Sequence, residues 1–273
     1  MKLTIGMAHH TDFNGAYFTI QDIRKELIFN NRGDLLQDIE FIIVENDKDG
    51  RHAKVLERFT RGNLGSQVSI VKLDSTYGTS ATRNKIIEEA TGQFVLIMDC
   101  HVLLCPTVKV IEDLFTFMEY NKTTNDLYTG PLVYDNMYNL STHFNDEWGA
   151  HMWGRWSTAW QCMCESYNFS VIQKDKKCKF VSLVEQKEIT ECGYCGQEFP
   201  KGLSYAGHDK RLKGDGYFSL GENPSSEPFE VFAQGLGLFF TRKTAWLGFN
   251  EHSRGFGGEE CYIHEKYRQN GRK

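Results

Sequence analysis

Asp99, Cys100 and His101 close an apolar run, Phe94-Val95-Leu96-Ile97-Met98. A carboxylate and an imidazole two residues apart can face one divalent cation where a strand ends in a turn. That pairing suits Mn²⁺ or Mg²⁺ better than a thiol-rich zinc site. A cation held there would neutralise a diphosphate and stabilise it as a leaving group. A second concentration of carboxylates, Glu259 and Glu260, follows Gly255-Phe256-Gly257-Gly258. Gly257 and Gly258 let the backbone approach a ligand closely, and the carboxylates could bind its hydroxyls or accept a proton. Two Glu in a first helical turn also answer the helix dipole. The pattern alone leaves both readings open.

Cysteines form a further signal. Cys192-Gly193-Tyr194-Cys195, followed by His208, tracks the first three ligands of a zinc finger. The fourth ligand would be Cys178, Cys162 or Cys164; a C-x-C pair facing the C-x₂-C pair would instead make an all-thiolate site, and free thiols are the remaining reading. Structural Zn²⁺ would staple an insertion with little core of its own. Cys100, Cys105 and Cys261 read as small apolar fillers. Trp148, Trp153, Trp156 and Trp160 crowd a short segment with His143 and His151, suited either to stacking on a sugar or base or to a core corner.

These residues need elements to position them. The spacing predicts strands over 3–8, 39–44, 68–73 and 94–98. Between them it predicts helices carrying Ile20, Ile23, Leu27 and Ile28, then over about 53–59, then over 81–90 capped by Thr79-Ser80. This β-α-β-α-β-α-β order implies a parallel, doubly wound α/β sheet with ligands beyond the strands' C-terminal ends. The polar residues after each strand land together on that edge. Further on, the pattern predicts a helix over 108–118, a strand over 127–133, a hairpin within 160–195 (169–173 and 179–184), a surface loop over 214–228 and a last helix over 259–269. The reading is one domain over 1–273 with a Cys-bearing insertion over 160–213.

Composition sets the outer limits. The 273 residues are 40% hydrophobic and 25% charged, which excludes disorder, collagen-like repeats and coiled coil. No apolar run reaches the roughly 18–20 residues of a membrane helix. A net charge of −5 argues against a surface coated in basic residues to grip nucleic acid, though not against a local basic groove. Eight irregularly spaced Cys suit a reducing compartment. The expected location is cytoplasmic, with no membrane partner and no secretion.

Three stretches, in order, carry a resemblance: Gly78-Thr79-Ser80-Ala81-Thr82-Arg83-Asn84 through Thr91-Gly92 to Asp99-Cys100-His101; Gly235-Leu236-Gly237 through Arg242; and Gly255-Phe256-Gly257-Gly258-Glu259-Glu260. Together they resemble GT-A fold glycosyltransferases of the family 2 type. The D-x-H and G-G-E forms look like the polypeptide N-acetylgalactosaminyltransferases and the galactosyltransferases. Phe256 stands where those enzymes carry Trp. The resemblance implies metal-dependent transfer of a sugar from a nucleotide-diphosphate donor, a uridine one, to a hydroxyl on a glycan, a protein or a hydroxymethylated DNA base.

By the same resemblance, Asp99 and His101 hold the metal. Ala8, His9 and Glu45 lie by the nucleoside, Arg83 and Asn84 by the ribose and diphosphate, and Gly257 and Gly258 by the sugar. Glu260 is the base in the inverting enzymes, with Glu259 beside it. The related enzymes' further metal-binding His has no counterpart after the G-G-E stretch, so His264 or His252, or water, would complete the sphere. Two other classes compete: a nucleotidyltransferase making a sugar nucleotide, and a non-catalytic, zinc-dependent nucleic-acid-binding module. The first wants a Gly-rich basic signature after the first strand, where Ala8-His9-His10-Thr11 stands instead.

Overall fold

Ile39-Glu40-Phe41-Ile42-Ile43-Val44-Glu45 is apolar on both faces, and it lies second from the edge of a six-stranded sheet, covered on each side. The structure is a computed structural model. It describes residues 1–47, 50, 52–62, 67–104, 109–130, 132–133, 140–141, 143–149, 152–158, 218–219, 228 and 230–273.

In chain order the elements are β1 (Leu3–His9), α1 (Phe13–Phe29), β2 (Ile39–Glu45), α2 (Ala53–Gly62), β3 (Val68–Lys72), α3 (Thr79–Glu89), β4 (Phe94–Asp99), α4 (Val110–Tyr120), β5 (Leu127–Tyr128), β6 (Leu132–Val133), β7 (Leu140–Ser141), β8 (His143–Gly149), β9 (Met152–Thr158), β10 (Phe218–Ser219), β11 (Leu238–Arg242) and α5 (Glu259–Gln269). The main sheet runs β3-β2-β1-β4-β11-β5. Its first four strands are parallel, and β11 joins β4 antiparallel. The sheet is α/β and mostly parallel, as the element order implied.

Alternation along each strand sends side chains to two cores. Leu3, Ile5, Met7, Phe94, Leu96 and Met98 meet Ile20, Ile23 and Leu27 of α1 and Ile111, Phe115 and Met118 of α4. On the other face, Ile42, Val44, Val95 and Ile97 meet Ile86 and Ile87 of α3 and Ile263 and Tyr267 of α5. Burying each such side chain is worth about 1.5–3 kcal/mol. Ile28 departs from expectation: it is exposed, because at 100° per residue it falls beside the stripe that Ile20, Ile23 and Leu27 occupy.

The chain divides into two units: residues 1–129 with 236–273, and residues 130–235. The second therefore begins earlier than the predicted insertion. Its described strands form a β10-β9-β8 sheet and a β6-β7 pair. The predicted strand over 127–133 is two short strands: β5 joins the main sheet, β6 pairs with β7. Trp148 pairs with Trp153, and Phe144 with Trp156, in the antiparallel register of β8 and β9, while His151 and Trp160 lie outside the described residues. Cys192, Cys195 and His208, with the rest of 160–213, lie outside the described residues.

Candidate active site

Three parallel strands deliver polar residues to one edge. Ala8 is level with Asp99 across β1 and β4, and His9 is level with Glu45 across β1 and β2. His9 and Glu45 are buried to 0% and 2% exposure and bonded to each other, Nδ1 to Oε2, at 2.7 Å. Glu45 Oε1 also accepts the Asp47 backbone N–H at 2.8 Å. His9 Nε2 is buried without a hydrogen-bond partner. Two of the three residues expected at the nucleoside, His9 and Glu45, thus form an inward-facing pair, while His10 next to them is exposed.

The D-x-H turn is held from behind. Thr19 of α1 donates its hydroxyl to the Cys100 and Val102 carbonyls at 2.7 and 3.0 Å, and Asp22 accepts the Leu104 N–H at 2.8 Å. Cys100 is buried, its thiol donating to the Ala8 carbonyl and its pKa pushed far up by burial, which fits the filler role expected of it. Flanking it, Asp99 and His101 reach outward: His101 is 74% exposed, with Nε2 4.0 Å from Asp99 Oδ2 and Nδ1 3.6 Å from Asp12 Oδ2.

Arg83 ties this turn to the start of α5. Its Nη2 donates to Asp99 Oδ1 at 3.2 Å and to the Leu236 carbonyl at 3.1 Å, while Nη1 donates to Glu259 Oε1 at 3.1 Å. Glu259 accepts the Thr79 hydroxyl as well, at 2.6 Å. Arg83 and Glu259 are both buried. The arginine expected at the diphosphate is therefore bound to two carboxylates of its own chain, because a buried guanidinium needs compensating charge. Glu259, expected at the sugar, is in turn spent on Arg83 and Thr79. Thr79 was expected to cap α3; Gly78 occupies the N-cap with no side-chain cap bond, since the Thr79 hydroxyl goes to Glu259.

Two loops meet to hold this corner. Gly78 bridges Gly255, with the Thr79 N–H on the Gly255 carbonyl at 3.1 Å and the Gly255 N–H on the Tyr77 carbonyl at 3.2 Å. Asn46 anchors the first loop, accepting the Tyr77 N–H at 2.9 Å. The G-F-G-G stretch passes through positive φ at Gly255, Gly257 and Gly258 and leaves Phe256 85% exposed. Glu260 follows Glu259 on the first turn of α5. Burial raises its pKa; adjacent Glu259 pushes the same way and Arg83 opposes it.

Two expected site residues lie elsewhere. Asn84 spends its amide on the 246–249 segment, donating to the Phe249 carbonyl at 3.1 Å and accepting from Trp246 Nε1 at 3.1 Å and the Phe249 N–H at 2.9 Å. It braces the second core rather than reaching a donor. His264 bonds the Glu260 carbonyl through Nδ1 at 2.5 Å, and burial lowers its pKa to about 4. It does not join Asp99 and His101. Among the described residues no three His, Cys, Asp or Glu side chains are arranged to hold an ion. The residue that sequence reasoning missed is Asp12; it reads as an ordinary helix N-cap, accepting the Gly15 N–H at 3.0 Å.

The family model for glycosyl transferase family 2 matches residues 19–168, more than half of the chain. The chain belongs to that family. The match spans α1 to β4 and extends beyond β9, so it includes the turn bearing Asp99 and His101. An uncharacterized glycosyltransferase of Methanocaldococcus jannaschii is 25% identical over 124 residues, 45% of this chain and 41% of that protein. The matched stretch is thus less than half of that relative's length. Among solved structures, residues 1–349 of S. aureus TarS with UDP-GlcNAc are 18% identical at a TM-score of 0.38, over 52% of this chain and 39% of that one. The mannosyltransferase PcManGT of Pyrobaculum calidifontis, with GDP-Man and Mn²⁺, is 14% identical at 0.39, over 49% and 36%. No helix among the described residues is long and apolar enough to cross a membrane.

Proposed function

We propose that this family 2 protein transfers a sugar from a nucleotide-diphosphate donor to an acceptor hydroxyl with a divalent cation, Mn²⁺ or Mg²⁺, bound at Asp99 and His101. The observation that carries this is the pair itself. Asp99 has one oxygen on Arg83 and the other beside the His101 imidazole, at the C-terminal edge of a parallel sheet. A carboxylate with an imidazole fits a cation of this class. Two protein ligands suffice where diphosphate oxygens and water supply the rest. When bound, the cation would act as a Lewis acid on the diphosphate.

The chain's own residues would do the remainder. Glu260, on the first turn of α5, takes the acceptor's hydroxyl proton. The acceptor oxygen bonds to the anomeric carbon as the bond from that carbon to phosphate oxygen breaks, its electron pair leaving with the nucleoside diphosphate. Arg83 keeps Asp99 and the Glu259-Glu260 turn in register, and Gly257 and Gly258 leave backbone room for the sugar. The D-x-H and G-F-G-G-E-E stretches favour a uridine donor, by likeness to the N-acetylgalactosaminyl- and galactosyltransferases. Glycans, proteins and hydroxymethylated DNA are the acceptors to try. The test is nucleoside diphosphate release across donors and those acceptors, with and without Mn²⁺. Acceptor-stimulated, Mn²⁺-dependent release supports the reading; no release with any donor, although the protein is folded, would overturn it.

A further inference from the structure

Asp12 precedes His101 by 89 residues in the sequence and lies beside it in the fold. It ends the β1–α1 turn, where one oxygen, Oδ1, accepts the Gly15 N–H at 3.0 Å and so caps α1. The other oxygen, Oδ2, lies 3.6 Å from Nδ1 of His101, whose Nε2 lies on the Asp99 side. The preceding residue, Thr11, has a positive φ of 55°, uncommon for a β-branched residue. Gly15 adds a second sign that this spot is built. A Cβ there would lie 2.3 Å from Asp12 Oδ2 and 2.7 Å from the Cys100 carbonyl, so a side chain at 15 would push Asp12 off the D-x-H turn. Keeping Gly inside a helix costs about 0.8–1.0 kcal/mol relative to Ala.

We propose that Asp12 is a positioning residue for His101: its Oδ2, an ion-pair distance of 3.6 Å from Nδ1, attracts a proton to that nitrogen and so favours the tautomer that leaves the Nε2 lone pair facing Asp99 and the divalent cation. Metal-ligating imidazoles generally donate their other N–H to a carboxylate or carbonyl, which orients the ring and raises its basicity. His101 needs this more than most, because it is largely exposed and nothing else among the described contacts fixes its ring. Asp99 needs it less, being held by Arg83. The inference rests on the reading of Asp99 and His101 as the cation's ligands.

The experiment separates the two. Mn²⁺ affinity of the full chain with UDP is measured by electron paramagnetic resonance of the free ion, for the wild type, Asp99→Asn, His101→Ala and Asp12→Asn. Asn caps a helix about as well as Asp, so Asp12→Asn should keep α1 and the melting temperature while losing the charge on His101. Mn²⁺ affinity should fall about 10–100-fold. In parallel, ¹⁵N shifts of the His101 ring report the tautomer, Nδ1–H in the wild type and a mixture in Asp12→Asn. If Asp99→Asn and His101→Ala bind Mn²⁺ normally, the metal reading fails and takes the inference with it. If they lose Mn²⁺ but Asp12→Asn binds as the wild type does, the inference alone is overturned. Should Asp12→Asn misfold, the wild-type spectrum decides: an Nε2–H tautomer rejects the inference and Nδ1–H supports it.

Discussion

Arg83 is the residue whose loss should be felt most widely. Its guanidinium is buried between Asp99 and Glu259, so Arg83→Met would leave two carboxylates facing each other with no counter-charge. Breaking a buried pair by removing one partner typically costs about 3–5 kcal/mol. We expect a loss of that size for Arg83→Met in urea unfolding; a loss under about 1 kcal/mol would mean the network is solvated and weak. Glu260 makes the opposite prediction. It carries no packing role that Gln cannot fill, so Glu260→Gln should keep stability and donor binding. It should lower kcat by about 10²–10⁴-fold, the usual worth of a positioned general base. Near wild-type kcat in steady-state assays at saturating acceptor would remove Glu260 from the base role and favour a retaining mechanism.

At the scale of elements, the meeting of the 74–79 loop with the 253–258 loop decides where α5 begins. Gly78 has φ +99°, and a Cβ on it would lie 2.1 Å from the Gly255 carbonyl oxygen, which is backbone and cannot swing aside. Gly78→Ala should therefore cost at least about 1–3 kcal/mol in backbone strain, with the displaced loop as a further loss. Since Glu259 and Glu260 follow Gly255 by four and five residues, the same substitution should lower kcat while Tm falls. Differential scanning calorimetry beside the activity assay checks both, and unchanged values in both would show that the loops do not need each other. Asn84 acts at this scale too: its amide ties α3 to the segment that leads into α5.

Across the whole molecule, two half-buried titratable groups pull stability in opposite directions. Burial raises Glu26, on α1 beside the start of α4, to about pKa 7, with nearby Asp22, Glu112 and Asp113 pushing the same way and the Ile111 N–H opposing. Its unfolded pKa is lower, so the folded state holds the proton more tightly. That contribution is complete below about 4.5 and is lost as pH rises through 7. His264 is lowered to about 4, so the unfolded chain takes up its proton more readily. Stability from that group is present above about 6.5 and is lost as pH falls towards 4. Between those limits the two partly cancel. Glu26→Gln should melt near the wild type at about pH 5 and above it at about pH 8, because Gln stands in for the protonated acid. A melting difference that does not grow with pH across that range would place the Glu26 titration elsewhere.

Local physics determined much of this protein from the sequence alone. Apolar runs on β1, β2 and β4 are long and unbroken enough that only a sheet covered on both faces can bury them. Polar residues after those strands then had to share one edge, and Asp99, His101, Gly257, Gly258, Glu259 and Glu260 can be singled out as candidates because unusual residue types stand beside strand ends or glycine turns. What each side chain touches was not legible, since charge pairing depends on distances that spacing along the chain does not encode. Arg83 and Glu259, 176 residues apart, looked like two ligands and are each other's counter-ions. Glu45 looked like a nucleoside contact, but burial beside His9 gave it an internal partner. Asp12 stood out by no sequence signal, and only the return of β4 alongside β1 set its second oxygen against His101. A buried ion must find its opposite within a few ångströms, and which opposite is in reach is decided by the tertiary fold.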